Sequence, residues 1–195
     1  MGGKKTYFDK IDTPNKAYIL GFLYADGHNG INKGTVAMSL QEEDKDILEC
    51  IRKELKSTKP LEYLNYTNKK DFGYHYKNQY RLIVFSRHMC KTLEKLGMVQ
   101  NKSLVLKFPR IPEKLYSHFI RGYFDGDGSF SANYLKSGKF QPLITFTSTN
   151  DFCEKVRDII ISSLNVPGGN IYDASCHNGI TKVLPFGGII QTKKI

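Results

Sequence analysis

"ILGFLYADG", residues 19–27, is an apolar, helix-forming stretch that ends on an acidic residue, Asp26, followed by glycine. The carboxyl end of a helix carries partial negative charge, so a carboxylate there is unfavourable by roughly 0.3–1 kcal/mol unless another group offsets it. "IRGYFDGDG", residues 120–128, repeats the arrangement with Asp127. Because the same placement recurs 101 positions later (127 − 26), the sequence indicates two copies of one structural unit.

Similar elements are predicted after each of these stretches, in the same order. Apolar and polar residues alternate in the strands, so that Ile144 and Phe146 point to one face and Thr145 and Thr147 to the other. The first stretch is followed by two strands around residues 32–34, a helix within 44–56, strands near 61–66 and 74–85, and a helix at 87–96. The second is followed by a hairpin about residues 136–139 and a helix at 150–164.

This order predicts an α/β (α+β) fold made of two halves related by a pseudo-twofold axis. We expect an amino-terminal half-domain at 12–101, a linker at 102–113 and a carboxyl-terminal half-domain at 114–195. Only 68 residues follow Asp127 (195 − 127). The second half is therefore expected to lack its last helix.

Bulk composition narrows the class of partner. The 195 residues contain 29 Lys and Arg against 19 Asp and Glu, a formal charge of +10, which favours a polyanion such as nucleic acid, with an acidic membrane surface as the second choice. No apolar run is long enough to span a membrane, and the polar start "MGGKKTYFDK" is not a secretory signal. We expect a protein of the cytoplasm or an organelle that is neither secreted nor embedded in a membrane.

Small residues on the two helices explain how the aspartates come together. Residues four apart share a helix face, so two helices that meet at small residues bring their backbones close. Asp26 and Asp127 would then lie side by side, where like charges raise a pKa or require a cation, and Mg²⁺ prefers such oxygen ligands. On a basic protein, this arrangement suggests phosphodiester hydrolysis. The small residues are Gly21, Ala25, Gly122 and Gly126.

Two simpler interpretations remain open at this point. Asp-Gly is a common way to end a helix, and small residues can serve tight packing alone. "DGDGSF" also resembles the start of a calcium-binding EF-hand loop, but Phe130 stands where that loop needs glycine and Lys136 where it needs glutamate. The EF-hand interpretation therefore fails, whereas a duplicated structural protein with no metal site stays possible.

The two stretches resemble the paired motifs of the LAGLIDADG homing endonuclease family, in its single-chain form. The resemblance covers roughly residues 12–190 and implies αββαββα half-domains with saddle-shaped antiparallel sheets and the motif helices packed at the centre. It implies that Asp26 and Asp127 bind divalent metal, with backbone carbonyls of Ala25 and Gly126 as further ligands. Mg²⁺ is the expected ion, and Ca²⁺ or Mn²⁺ can occupy the same site.

The resemblance also implies an activity and its partner. Such enzymes cut both strands of double-stranded DNA across the minor groove, at a long asymmetric site that their sheets read in the major groove. We expect a monomer without an obligate protein partner, encoded by a mobile intron or a free-standing gene. Gln41 and Lys102 are the candidates for additional catalytic residues. Polar strand positions expected to face DNA are Thr35, Ser39, Tyr63, Asn65, Tyr76, Asn78, Arg81, Ser131, Asn133, Gln141, Thr145 and Thr147.

One motif position departs from the family pattern. Tyr24 replaces the acidic residue that the second copy retains as Asp125. No equivalent of Lys102 is expected in the second half. An intron-splicing cofactor (maturase) or a non-cleaving DNA-binding protein derived from the family is therefore the alternative function.

Overall fold

Each half of the chain contains helices and strands in the order αββαββα, and the first half adds a small hairpin between its last two sheet strands. The structure, a computed structural model, describes residues 4–66, 70–71, 74–75, 77–134, 137–138, 140–174 and 181–195, with the backbone alone at 70–71, 74–75, 133 and 189–191. The first half comprises α1 (Pro14–Asp26), β1 (Gly27–Gly30), β2 (Thr35–Gln41), α2 (Lys45–Glu54), β3 (Glu62–Leu64), a small hairpin of β4 (Lys70–Asp71) and β5 (Tyr74–His75), β6 (Gln79–Phe85) and α3 (Arg87–Lys95). The second comprises α4 (Tyr116–Asp127), β7 (Ser129–Tyr134), β8 (Phe140–Ser148), α5 (Asn150–Leu164), β9 (Tyr172–Asp173), β10 (Lys182–Gly187) and α6 (Ile189–Lys194).

Two four-stranded antiparallel sheets form, with equivalent strand orders. The first is β1-β2-β6-β3 and the second is β7-β8-β10-β9. In the first, Gly27 pairs with Met38, and in the second, Phe130 pairs with Ile144. The predicted α+β class and the duplication are confirmed.

Alternation along the central strands decides which face of each sheet is covered. Val36, Met38 and Leu40 of β2 are buried, as are Ile144 and Phe146 of β8, whereas the residues between them remain partly accessible. Since successive side chains point to opposite faces of a strand, one face of each sheet packs on helices and the other stays open.

Hydroxyl side chains start three of the helices. Thr13 accepts a hydrogen bond from the backbone N–H of Lys16 before Pro14 opens α1. Ser86 and Thr149 cap α3 and α5 in the same way. Each such cap typically contributes about 1 kcal/mol.

The last helix of the second half contradicts expectation. α6 follows β10, although it is shorter than α3. Gly188, at φ 106°, makes the turn, and its N–H donates to Pro142 O at 2.9 Å. In the first half, the Ser86 N–H donates to Gly34 O, also at 2.9 Å. The two helices thus start at equivalent places, through an extended Ser86 in the first half and a left-handed glycine in the second.

α1 and α4 pack against each other at the centre of the molecule. A Cβ atom on Gly21 would lie 2.0 Å from Phe119 O, and one on Gly122 would lie 2.0 Å from Tyr18 O. One on Gly126 would lie 2.4 Å from the Ala25 methyl carbon. The helices approach so closely that only glycine fits at the first two positions.

The core runs continuously through both halves. Phe119 of α4 contacts Tyr24 of α1, Phe108 of the linker and Phe152 of α5. Ahead of α1, residues 4–11 pack on the first half and bury Phe8. Within the described ranges, no helix has both the length and the hydrophobicity that crossing a bilayer requires.

Candidate active site

The two motif aspartates lie where α1 and α4 end together. Each is the last residue of its helix, and the following glycine leads directly into the first strand of its sheet. A Cβ atom on Gly126 would lie 3.1 Å from Asp26 Oδ2, so the Asp26 carboxylate reaches the end of the opposite helix. The packing of α1 on α4 therefore brings both carboxylates to one place between the sheets.

Burial disfavours ionisation of both carboxylates, and the charge of Asp127 adds to this effect at Asp26. Burial, then the charge of Asp127, raises the pKa of Asp26 to about 6, while Lys102 opposes the rise and Asp44 adds to it. Burial also raises the pKa of Asp127, and Lys102 again opposes the rise. Both side chains still reach solvent. A small cation in solvent can therefore reach both carboxylates.

The ammonium group of Lys102 is a positive charge close to the two aspartates. Its Nζ donates to the backbone carbonyls of Ala25 and Gly27, both at 2.9 Å. Burial lowers the pKa of Lys102, and the two aspartates oppose the change. The ammonium group therefore satisfies carbonyls at the end of α1, where the helix dipole favours a cation.

The donor set suits a hard divalent cation. Two carboxylates and nearby backbone carbonyls match the oxygen ligands of Mg²⁺, which also keeps several waters. Among the residues that the structure describes, no group of three or more His, Cys, Asp or Glu side chains forms a protein-only cage. The Ala25 carbonyl already accepts from Lys102, so it would share its lone pairs with a metal. Asp26 and Asp127 are thus the residues that could hold such a cation, with water supplying most of its other ligands.

One acidic residue near the pair was not predicted from the sequence. Asp44 follows β2 in a short turn, and its charge contributes to the raised pKa of Asp26. The run "EED" at 42–44 was the available signal. Gln41 precedes that turn as an exposed residue at the end of β2. It lies three positions beyond Met38, the partner of Gly27 in the ladder, and its role beside the aspartates stays a prediction.

Equivalent positions across the helix interface carry different chemistry. Tyr18 donates its hydroxyl to Asp125 Oδ2 at 2.9 Å. At the positions 101 residues away, Phe119 and Tyr24 meet edge to face at 5.1 Å between ring centroids. Tyr24 therefore replaces an acid with an aromatic contact, and its hydroxyl donates to Leu96 O. The departure at this motif position is accommodated by packing.

The open face of the first sheet carries part of the predicted polar set. Ser39 pairs with Arg81, whose Nε donates to Ser39 Oγ at 2.9 Å, and Thr35 pairs with Phe85 on the same face. Tyr63 lies on the opposite face, because it pairs with Tyr80, which itself pairs with the buried Leu40. The prediction that Tyr63 lies on the open face was therefore wrong, because a shift of one residue along a strand turns a side chain to the other face of the sheet.

The remaining predicted residues of the first half lie outside its strands. Asn65 follows β3 and is exposed. Asn78 precedes β6, where its Oδ1 accepts from the backbone N–H of Tyr66 at 2.9 Å. Tyr76 lies outside the described residues. His28, which pairs with Ala37, joins the open face although it was not predicted to do so.

The second sheet has an open face of similar extent but different chemistry. Thr145, Thr147 and Gln141 lie on it, opposite the buried face of β8. Ser131 pairs with Leu143, and the backbone of Asn133 pairs with Gln141. Tyr172 of β9, exposed and paired with Val183, belongs to this face and was missed because its strand has only two residues.

Known proteins share this arrangement of helices and sheets. No family model matches the sequence, and no curated protein matches it. The LAGLIDADG homing endonuclease I-LtrWI bound to target DNA superimposes with a TM-score of 0.56 at 13% identity, over 97% of this chain and 81% of that chain. The chain has the LAGLIDADG fold. I-DmoI in complex with DNA and Ca matches with a TM-score of 0.51 at 17% identity, over 87% of this chain and 80% of that chain.

The LAGLIDADG fold also occurs in a protein that is not named as an endonuclease. Full-length DUF199/WhiA from Thermatoga maritima matches with a TM-score of 0.58 at 15% identity. The match covers 97% of this chain and 57% of that one, so the chain spans little more than half of WhiA. The LAGLIDADG resemblance of residues 12–190 is thus confirmed at the level of the fold.

The raised pKa of Asp26 predicts how stability varies with pH in the metal-free protein. A carboxyl group whose pKa is higher when folded stabilises the protein fully below its unfolded pKa, and this contribution is lost as pH rises through about 6. Chelator-treated protein should therefore melt at a higher temperature near pH 5 than near pH 7.5, and Asp26→Asn should flatten the difference. Asp46→Asn, at an exposed position of α2, is the control. Equal pH slopes in the wild type and Asp26→Asn would contradict this assignment.

Proposed function

We propose that this chain is a site-specific double-strand DNA endonuclease that uses a divalent metal, Mg²⁺ first, at Asp26 and Asp127. The observation that carries the proposal is the meeting of two partly desolvated carboxylates between two open sheet faces on a protein of formal charge +10. A cation there relieves the repulsion of the pair and meets a phosphodiester drawn in by the basic surface.

The chain's own groups would act mainly by position and charge. A bound Mg²⁺ would activate water and stabilise the leaving oxygen. Asp26 and Asp127 come from different halves, so each carboxylate would serve one strand of the duplex. Lys102 stabilises the end of α1 and adds positive charge close to the scissile phosphates. Gln41, exposed at the end of β2, would reach the reaction through water.

The two open faces support a long, asymmetric target. Ser39 and Arg81 dominate one face, while Thr145, Thr147 and Gln141 lie on the other. Arginine, glutamine and hydroxyl side chains can hydrogen-bond to base edges in the major groove. Because equivalent strands carry different side chains, each half would read a different sequence. A single chain therefore suffices, and the proposal is a monomer encoded by a mobile intron or a free-standing gene, working wherever its host DNA lies.

The similar structures support the same assignment. I-LtrWI is bound to target DNA, and I-DmoI is bound to DNA and Ca. Double-stranded DNA is accordingly the proposed partner, and Ca²⁺ or Mn²⁺ would occupy the Mg²⁺ site. The second candidate is a non-cleaving nucleic-acid-binding protein, such as an intron-splicing cofactor, and the occurrence of the fold in WhiA favours it.

A cleavage selection distinguishes these functions. The full chain is incubated with a randomised plasmid library in Mg²⁺ or in chelator, and linearised molecules are sequenced. We expect one asymmetric site, cut on both strands only when Mg²⁺ is present. Gel-shift enrichment of a site that is never cut would favour the non-cleaving candidate. Absence of both cutting and binding would overturn the DNA assignment.

A further inference from the structure

The second half contains a large cavity where the first half is filled. The cavity has a volume of about 930 Å³ and is lined by apolar side chains of α4, β8 and α5. The corresponding place in the first half, among residues of α1, β2 and α2, retains only about 10 Å³. We call the cavity the α5 groove; its apolar lining includes Phe124, Ile144, Phe146, Ile159 and Ile160.

Residues 4–11 fill the equivalent place in the first half. Phe8 is buried there against side chains of α1, β2 and α2. The segment is tied down by the Lys4 backbone N–H, which donates to Leu55 O at 2.7 Å, and by the Tyr7 hydroxyl, which donates to Glu54 Oε1 at 3.0 Å. A short peptide segment carrying aromatic side chains is therefore the natural occupant of this kind of groove.

The segment ahead of α4 takes a different route and leaves the α5 groove open. Leu106 accepts a hydrogen bond from the Thr149 hydroxyl, and Phe108 packs on Phe119 and Phe152. These contacts hold the linker at the core between the halves. The Phe108 side chain of the linker therefore packs in the core and does not enter the groove. Lys194 and Ile195 also line the groove.

Exposed aromatic residues extend the apolar surface beyond the groove. In β1, Asn29 is only 2% exposed, and its amide donates to the carbonyls of Cys90 and Met98. The equivalent residue of β7, Phe130, is 63% exposed and pairs with Ile144 of the groove, so both side chains lie on one face. Tyr134, farther along the same face, is 75% exposed. A contiguous apolar surface of this kind marks an interaction site.

We propose that the α5 groove is a docking site for a protein partner, which inserts an aromatic side chain from a short segment as Phe8 does in the first half. A cavity of this volume takes several side chains, which a peptide supplies. Basic residues outnumber acidic ones at the rim, so acidic residues should flank the aromatic side chain of the partner. The charged rim residues are Arg121, Lys155, Lys194, Glu113 and Asp158.

A peptide copied from the chain's own segment tests the proposal. The probes are fluorescent KKTYFDKID, residues 4–12, and an acidic form in which its three lysines are glutamates. Fluorescence anisotropy with the full chain should show the acidic form binding at least about threefold more tightly, and loss of the phenylalanine should weaken either form at least about tenfold. Failure of both probes to bind would overturn the proposal.

A matched pair of variants assigns the binding to the groove. Ile159 and Ile161 are both half-buried on α5, but only Ile159 lines the groove. Ile159→Glu should weaken the probe at least about tenfold and Ile161→Glu by less than about twofold. If Ile159→Glu fails to fold, Phe130→Asp takes its place as the test variant, because Phe130 is exposed, and it should also weaken binding. If the two isoleucine variants weaken the probe equally, the probe binds elsewhere and the assignment is contradicted. The same conclusion follows if Phe130→Asp has to be used and has no effect.

Other occupants give distinct results. A wild-type dimer that Ile159→Glu converts to a monomer in sedimentation velocity would show that a second copy fills the groove. Binding of an apolar dye that depends on Ile159, without peptide binding, would show a small-molecule site. Either result would overturn the peptide assignment, while leaving the proposed nuclease function untouched.

Discussion

Asp127→Asn should lower the rate of double-strand cleavage by at least about 100-fold, since loss of groups that merely support metal ligands already costs 10–100-fold. Asparagine keeps the shape of the side chain but removes the charge that the proposed site uses to hold a cation. Asp26→Asn should have an effect of the same size, because the two residues occupy equivalent helix ends. The measurement is conversion of supercoiled plasmid containing the selected site, under single-turnover conditions.

Asp125→Asn is the control for this pair. Asp125 lies two positions before Asp127 on the same helix, and its carboxylate accepts from Tyr18 on the opposite helix. Its replacement should change the cleavage rate by less than about fivefold, because asparagine can still accept that hydrogen bond. Full activity in both Asp26→Asn and Asp127→Asn would rule out the proposed mechanism. Intact DNA binding without cleavage in those variants would separate chemistry from recognition.

Gly122→Ala should destabilise the protein strongly, although it adds only one methyl group to a motif helix. In an exposed helix, this change would stabilise the protein by roughly 0.5–1 kcal/mol. Here the new methyl carbon would lie 2.0 Å from Tyr18 O, a backbone atom that moves only if α1 moves. Overpacking of this kind costs about 1–3 kcal/mol or more, so steric conflict should outweigh helix propensity. Urea unfolding of the full chain measures the difference.

Gly126→Ala provides a control with a different steric cause. Its methyl carbon would lie 2.4 Å from the Ala25 Cβ, a side-chain atom that mutation can remove. Gly126→Ala should therefore regain at least about half of its lost stability when combined with Ala25→Gly, whereas Gly122→Ala should gain nothing from Ala25→Gly. Wild-type stability in Gly122→Ala would contradict the close approach of the two helices.

Short-range patterns predicted most of the fold. Alternation around Ile144 and Phe146 identified the buried face of β8, and the spacing of Gly21 and Gly122 predicted the meeting of α1 and α4. The errors occurred where distant segments set the outcome. Tyr63 was assigned to the open face, but its ladder partner Tyr80 places it on the other. α6 was not expected, because only 68 residues follow Asp127, but Gly188 forms a turn against β8 after which a short helix begins.

The sequence also predicted only that part of the candidate site which depends on short-range patterns. Its two aspartates were predicted, because each marks the end of an apolar helix and the duplication shows that they belong together. The sequence did not predict the influence of Asp44 or the hydrogen bonds that Lys102 donates to Ala25 and Gly27. Asp44 and Lys102 approach the end of α1 from other parts of the chain. The raised pKa of Asp26 depends on burial and on Asp127 across the interface, both of which arise only when the halves pack.

By itself, the sequence determined the helices, the alternating strands, the duplication and the pair of aspartates, because these depend on spacing within single rigid elements. The tertiary structure alone decided which side chains share a sheet face, which carbonyls Lys102 meets, and why one half buries Phe8 where the other keeps an open groove. Strand register and the route of a connecting segment arise from contacts between residues far apart in the chain. The spacing of residues within one helix or strand therefore does not predict them.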